Sequence, residues 1–210
     1  MKRVLPLLLL AIVMCQCNSQ SGQQNQPAQK SLSEQYPEKF KAEYIGERVL
    51  ELCQKLCDCD PSKDNAFNNI LTDEYGSVFK ESLALPEGID GDGPGAWLWI
   101  EFAGEPCTVY GVIDVNVTDN KAKIIWKNDD GEDEVALSFV DDEWLIDDIG
   151  NCSKKDLKDK ILESRKYYQS IDWQELLLQL VERGYSKEDA VQASEGLKEQ
   201  IETYFKNYPE

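Results

Sequence analysis

The chain has 210 residues, with 40 acidic side chains against 22 basic ones and a formal net charge of −18. A surface this negative repels phosphate backbones, which argues against nucleic acid as a partner and against a basic amphipathic membrane surface. Histidine is absent from the sequence, which excludes Ser-His-Asp and Cys-His catalysis and imidazole metal sites.

The first predicted element is an export signal at residues 1–14. Lys2 and Arg3 precede an apolar run that ends at Met14, shorter than the roughly 20 residues of a membrane span but typical of a signal peptide. Cys15 follows directly. This arrangement resembles the leader of a bacterial lipoprotein, in which the cysteine after the cleavage point carries lipid.

The predicted lipidation site is Cys15, and Cys17 is the second choice. The alternative is an ordinary secretory leader, cleaved to give a soluble product. Both interpretations predict export, and the first places the protein in the cell envelope, anchored to the outer membrane and facing the periplasm or the cell surface. Residues 15–32 are mostly polar and are predicted to form a flexible tether.

Five further cysteines follow, and export predicts that they form disulfides. Cys53 and Cys57 lie one helical turn apart with parallel side chains, which disfavours a bridge between them, so the two remote cysteines are better partners. Two bridges and one thiol are the expected arrangement. A zinc site is the alternative, although the spacing of the first three cysteines matches no standard zinc motif. The five candidates are Cys53, Cys57, Cys59, Cys107 and Cys152.

The folded part is predicted to begin with helices. Residues 37–58 carry apolar side chains three and four positions apart, as in an amphipathic helix. Residues 66–71 and 72–85 are predicted as two shorter helices, the second with Thr72 as its N-cap. Pro86 ends the second of these, and residues 87–95, rich in glycine and proline, are predicted to form a loop.

The end of this loop contains a candidate calcium site. Asp90, Asp92 and Glu101 have the acidic spacing of a calcium-binding loop, and Gly95 allows a sharp turn. Pro94, however, stands where a third oxygen ligand belongs, and the segment leads into a strand instead of a helix. A solvated acidic loop is the simpler interpretation, so no cofactor is expected, and calcium is the alternative at this loop.

Strands are predicted next, joined by links so short that neighbouring strands must be antiparallel. In the second strand the apolar residues largely alternate. Those residues are Val109, Ile113, Val115 and Val117. The five predicted strands span residues 97–102, 108–118, 122–128, 134–140 and 144–149.

Tyr110 and Asp114 are the catalytic candidates, because they lie on one face of the second strand and allow a phenol and a carboxylate in one cavity. If the valine face of this strand is the core, both side chains face water instead. Acidic residues on both sides of Trp144 could also supply a pair of carboxylates for acid–base catalysis. Charged side chains that face solvent at strand ends are the simpler interpretation of these residues. These are Asp141, Asp142, Asp147 and Asp148.

Three helices are predicted to close the chain, at residues 154–169, 172–183 and 187–207, with Ser153 and Ser186 as caps of the first and last. The last two form an αα-hairpin within the helical extension. This hairpin is interpreted as a buttress for the sheet, with a partner-binding module as the functional alternative. The extension covers residues 170–210.

Helices followed by a meander predict an α+β fold, with N-terminal helices in the concavity of a curved antiparallel sheet and a C-terminal helical hairpin. Residues 139–149 end in the pattern D-x-x-W-x-I-x-x-I. In the order of its predicted elements and in this final strand pattern, the chain resembles uncharacterised bacterial lipoproteins with a nuclear transport factor two-like, or cystatin-like, domain. The resemblance covers about residues 37–153 and implies a pocket or a dimer surface without naming a substrate.

The sequence therefore predicts a cell-envelope lipoprotein whose α+β domain, residues 33–169, binds a ligand or a partner without catalysing a reaction. Its expected partners are the membrane, through the lipid, and a protein or small molecule. One alternative is a pocket hydrolase or isomerase that uses Asp and Tyr chemistry. The other is a calcium-stabilised structural lipoprotein.

Overall fold

The computed structural model of the protein describes residues 30–60, 63, 65–89, 111–128 and 131–209. Helices and an antiparallel sheet share one core, so the predicted α+β class is confirmed. The described strands are β1 (Gly111–Thr118), β2 (Lys121–Asn128), β3 (Gly131–Val140) and β4 (Glu143–Ile149). The described helices are α1 (Leu32–Gln35), α2 (Ala42–Asp58), α3 (Asp73–Leu83), α4 (Lys154–Ser170), α5 (Trp173–Glu182) and α6 (Lys187–Asn207), with a 3-10 turn at Gly150–Cys152.

The four strands form an antiparallel meander in the order β1-β2-β3-β4. The turn between β3 and β4 is made by Asp141 and Asp142, whose φ angles of 49° and 67° are left-handed. Aspartate tolerates this region because its short polar side chain bonds locally, and two such residues match the twist of a hairpin. The antiparallel pairing predicted from the short links is therefore confirmed for these strands.

The core lies between α2 and one face of the sheet. Helix α2 packs against both β1 and β4, at opposite edges of the described sheet, so the sheet curves around it. The helix contributes Ile45, Val49 and Leu52, all fully buried. Burying side chains of this size stabilises the fold by about 1.5–3 kcal/mol each. The fully buried residues of the sheet are Ile124, Trp126, Val135, Leu137, Trp144 and Ile146.

The regular alternation predicted for β1 is wrong at one position. The pairing of β1 with β2 shifts between Val112 and Asp114, so Ile113 is an extra residue in a bulge. Its side chain is 51% exposed, whereas Val115 and Val117 pack against the core. An extra residue in a strand changes which face of the sheet the following side chains point to. For this reason Ile113 does not lie on the apolar face with Val115 and Val117.

A second bulge lies in β4. Leu137 pairs with Ile146 and Ala136 pairs with Asp148, so Asp147 has no direct partner on β3. The extra residue lets Ile146 and Ile149 both enter the core although they are three positions apart. It also directs the side chain of Asp147 away from the regular ladder, as bulges commonly do.

The helix predicted at residues 66–71 is wrong. This segment forms turns and then a parallel bridge between Leu71 and Ile146. The amide of Thr72 donates to the carbonyl of Ile146 at 2.8 Å, and the amide of Ile146 donates to the carbonyl of Ile70 at 2.9 Å. Pairing with the edge of β4, together with Asn69 at a φ of 61°, outweighs the local helical preference.

The C-terminal helices are confirmed, and α6 belongs to the main core through Leu197, Ile201 and Tyr204. An ion pair fastens this packing: Arg165 Nη2 on α4 lies 2.7 Å from Glu81 Oε1 on α3. Tyr204 completes the cluster by donating to Glu81 at 2.8 Å. Helix α6 is therefore held to the sheet domain, as the buttress interpretation expects.

Candidate functional site

A half-open cleft of about 720 Å³ lies beside β4. Its walls come from α2, the segment that leads into α3, and the β3–β4 hairpin. This volume is within the range of about 300–1,000 Å³ typical of small-molecule sites. Its polar lining includes Tyr44, Arg48, Asn68, Thr72, Asp141 and Glu143.

Arg48 supplies the positive charge of this cleft. Tyr44 lies one helical turn before it, so both side chains project from the same face of α2. The guanidinium is held by Glu51, with Nη1 to Oε2 at 2.8 Å, and lies 3.8 Å from Glu143. Its Nε donates to the carbonyl of Trp144 at 3.4 Å. Only 12% of the Arg48 side chain is exposed, so the guanidinium is fixed before any ligand arrives.

Two residues of the cleft have left-handed backbone conformations. Asn69 has a φ of 61° and Asp141 a φ of 49°. Such conformations cost about 1–3 kcal/mol in non-glycine residues and concentrate at binding sites, although Asn and Asp tolerate them best. Both residues place backbone and side-chain polar groups at the rim of the cleft.

A polar cluster near the cleft is centred on Asp147. Its Oδ1 accepts from the Thr72 hydroxyl at 2.9 Å and from Lys154 Nζ at 3.1 Å, and its Oδ2 accepts from Lys121 Nζ at 2.7 Å. Burial opposes ionisation of Asp147, but these three donors outweigh it and lower the pKa to about 2. The cluster ties β2, β4, α3 and α4 together.

Asp148 has the opposite environment. Burial raises its pKa, although its Oδ1 accepts the backbone amide of Lys154 at 2.7 Å. This bond satisfies an amide in the first turn of α4. The paired carboxylates considered from the sequence therefore have separate structural contacts: Asp147 binds lysines and Asp148 caps a helix.

Trp126 and Asp133 lie directly opposite each other on β2 and β3, so their side chains share a face of the sheet. Among the described residues, neither the buried Nε1 of Trp126 nor the buried Oδ2 of Asp133 has a hydrogen-bond partner. Gly150 packs against this carboxylate so closely that a Cβ there would lie 1.8 Å from Oδ1. A side chain at position 150 would therefore have to displace the Asp133 carboxylate.

A second concave surface, the hairpin groove, lies between α5 and α6. It has a volume of about 440 Å³ and is mostly apolar. Three of its aliphatic side chains are unusually exposed: Leu178 by 61%, Val191 by 44% and Val181 by 40%. The other lining residues are Gln174, Leu177, Lys187 and Ala190.

Asp114 is exposed on β1, next to the bulge at Ile113. Tyr110 lies outside the described residues, so the catalytic interpretation of this pair stays a prediction. The same is true of the predicted strand at residues 97–102. Other predicted sites also fall outside the described residues: the lipidation sites Cys15 and Cys17 and the calcium candidates Asp90, Asp92 and Glu101. Within the described residues, no group of three or more Cys, Asp and Glu side chains is arranged to hold a metal ion.

The cysteines differ from the predicted pairing. Cys53, Cys59 and Cys152 carry thiols, so at most one bridge can form among the five cysteines, and the prediction of two bridges and one thiol is wrong. Burial in the core raises the pKa of Cys53 to about 12, which makes it unreactive. Cys57 is disulfide-bonded.

No known protein family, characterised protein or solved structure matches the chain. None of the described helices combines the length and the apolar character of a membrane span. The functional interpretation therefore depends on the two concave surfaces and on the sequence itself.

Sequence reasoning missed the cleft, and it named the hairpin as an alternative partner-binding module without locating the groove. Arg48 and Asn68 carried no recognisable pattern, because they meet Glu143 only through long-range folding. The groove could have been anticipated from the three consecutive leucines at positions 176–178. Three adjacent helix positions cannot all face the same buried side of the helix, and Leu178 is the one that stays exposed.

Proposed function

We propose that this chain is an exported lipoprotein of the cell envelope whose α+β domain binds a small polar ligand without catalysing a reaction. The observation that carries the binding function is the cleft beside β4, with its preformed guanidinium and nearby carboxylates. The same proposal includes the resemblance of this chain to lipoproteins with a nuclear transport factor two-like domain.

Export is supported by two independent features. The leader at residues 1–14 has the charge, the short apolar run and the following cysteine of a lipoprotein signal. The disulfide at Cys57 favours an oxidising compartment. Cys107 is the expected partner, because Cys152, the other remote candidate, carries a thiol.

The lipid anchor predicts that the mature protein incorporates a palmitate analogue during growth and fractionates with membranes. Replacing Cys15 and Cys17 together with alanine removes the acylation thiol and is expected to abolish the label and release the protein from membranes. Cys59→Ala is the matched control, because that cysteine lies in the folded part, and it should stay labelled. Label that survives the double replacement, or no label in the wild type, contradicts the anchor.

The ligand is expected to carry both charges or several polar groups. Arg48 offers N–H donors for a carboxylate or phosphate, whereas Glu143 and Asp141 accept from ammonium or hydroxyl groups. A zwitterion such as glycine satisfies both sides of the cleft. A purely anionic ligand meets repulsion from the acidic residues.

The cleft is tested by titrating glycine, acetate, inorganic phosphate and methyl glucoside into the protein while following backbone amide NMR shifts. Saturable shifts at Asn69 and Glu143 are expected for glycine, and Asn68→Ala should weaken binding at least about fivefold, or about 1 kcal/mol. Asn116→Ala, an exposed asparagine on β1, should leave binding unchanged. If none of the four probes produces saturable shifts up to about 10 mM, the cleft is not a ligand site.

A further inference from the structure

We propose that the hairpin groove is the docking site for a basic amphipathic helix of a partner protein. The groove shares no lining residue with the cleft beside β4, so it goes beyond the ligand-binding function. Its two sides are the exposed faces of α5 and α6.

The hairpin that forms this groove is fixed by its own caps. Asp172 accepts the amides of Gln174 and Glu175 at the start of α5, at 3.0 and 3.2 Å. Gly184, with a φ of 101°, ends α5, and the Ser186 hydroxyl accepts the amide of Asp189 at the start of α6. These caps define where each helix of the hairpin begins and ends.

The inner side of the hairpin is already occupied. Leu180 and Ala190 are buried between the helices, and Leu197 and Ile201 pack into the main core. The groove residues Leu178, Val181 and Val191 are not needed for this packing, because they stay 40–61% exposed. Single exposed aliphatic residues are common, but three that line one concave surface indicate an interaction site.

Helical spacing places four carboxylates beside the exposed apolar residues of the groove. On α5, Glu175 and Glu182 lie three positions before and four positions after Leu178. On α6, Glu188 and Glu195 have the same spacing around Val191. Residues three and four apart are neighbours on a helix surface, and all four glutamates are exposed. Lys187, a cation, is the one charged residue among the described residues that line the groove, so attraction to a basic helix has to come from the four glutamates beside the groove.

These charges select among occupants. A second copy of the chain would bring another acidic surface of formal charge −18 against the same rim. An anionic lipid surface would be repelled in the same way. A helix with apolar residues at positions i, i+3, i+4 and i+7 and flanking Lys or Arg fits both the apolar floor and the acidic rim. Two packed helices accept a third in this way.

The test uses the full chain and three labelled peptides of about 14 residues, which is about four helical turns. The first has leucine on one helical face and lysine elsewhere; the second has the same composition with the leucines dispersed; the third has glutamate in place of lysine. Fluorescence anisotropy at about 0.15 M salt measures binding, because surface attraction is then partly screened. The first peptide is expected to bind at least about tenfold more tightly than the other two.

Leu178→Ser should weaken binding of the first peptide by at least about tenfold, because it removes the most exposed apolar contact. Glu182→Gln and Glu188→Gln together should weaken it less and reduce its salt dependence. Leu162→Ser, at a leucine on α4 that is 51% exposed, is the matched control and should not change binding. Thermal unfolding of each variant confirms that it folds.

Several outcomes would overturn the proposal. Equal binding of the first two peptides means that net charge alone attracts them, and failure of the first peptide to bind means that the groove does not take a basic helix. Self-association in sedimentation that Leu178→Ser removes identifies a second copy as the occupant. Binding to phosphatidylcholine vesicles that Leu178→Ser removes identifies a membrane. None of these outcomes affects the NMR titration of the cleft, so the two proposals fail separately.

Discussion

Replacing Trp144 with alanine is expected to lower the free energy of unfolding by about 3–5 kcal/mol. The indole is fully buried, and its ring centroid lies 5.0 Å from that of Phe40 and 5.2 Å from that of Phe139. Its Nε1 donates to the carbonyl of Lys39 at 2.7 Å. Alanine leaves a cavity between the sheet and the segment before α2, and it removes the hydrogen bond to that carbonyl.

Urea unfolding followed by far-ultraviolet circular dichroism measures this loss, since that signal does not depend on Trp144 fluorescence. Trp144→Phe keeps an aromatic ring and loses the donor, so an intermediate loss of about 1–2 kcal/mol is expected. Leu162→Ala is the control, because that side chain is 51% exposed, and it should change stability by no more than about 0.5 kcal/mol. A Trp144→Ala loss as small as that of Leu162→Ala would show that the indole does not anchor the core.

The features that the sequence predicted correctly are those that local interactions determine. Thr72, Ser153 and Ser186 each accept an amide at the start of their helices, as their positions before an apolar stripe indicated. The hairpin at Asp141 and Asp142 follows from residues that tolerate left-handed backbone. In these cases the cause and the effect lie within four residues of each other.

The features that the sequence-based predictions missed depend on contacts between residues far apart in the chain. A bulge at Ile113 changes the pairing by one residue, and the pattern of β1 alone does not show which register β2 imposes. The segment at 66–71 has the composition of a helix, yet it pairs with Ile146 on β4. Local pattern cannot show that a sheet edge is open at that place.

The two candidate sites likewise differ in whether local sequence or long-range contacts determine them. The cleft combines Arg48, Asn68 and Glu143, which lie far apart in the chain and carry no shared motif. The hairpin groove is built from two neighbouring helices, and the leucine run that includes Leu178 was visible in the sequence. A groove within one hairpin is therefore easier to anticipate than a cleft between three elements.

The cleft and the hairpin groove differ in the chemistry of their lining. The cleft is polar and contains a fixed guanidinium, which suits a small ligand. The groove is apolar with an acidic rim, which suits a helix of another protein. Helix α6 connects the groove to α3 and α4 through Tyr204, Glu81 and Arg165. The two proposals, a small ligand in the cleft and a partner helix in the groove, therefore concern separate places on the molecule.

Replacing Asp147 with alanine is expected to lower the free energy of unfolding at pH 7 by about 2–4 kcal/mol. Only 13% of this side chain is exposed, and its carboxylate joins Thr72, Lys121 and Lys154 from three different elements. Alanine leaves the Lys154 ammonium, itself 20% exposed, without its closest carboxylate contact. By contrast, Asp159→Ala breaks an ion pair with Lys155 in which both side chains are mostly exposed, and it should cost less than about 0.5 kcal/mol.

The contribution of Asp147 should also depend on pH in a defined direction. Its pKa is lowered from the ordinary value of 3.8 to about 2 by its lysine and threonine donors, so the unfolded chain takes up a proton at a higher pH than the folded one. The stabilisation is therefore complete above about pH 5 and is lost as the pH falls from about 4 to 2, by about 2 kcal/mol in total. Urea unfolding of the wild type and Asp147→Asn at pH 7, 4 and 2.5 measures it. The stability difference between the two should shrink over this range, whereas a difference that stays constant would mean that Asp147 acts through packing instead of charge.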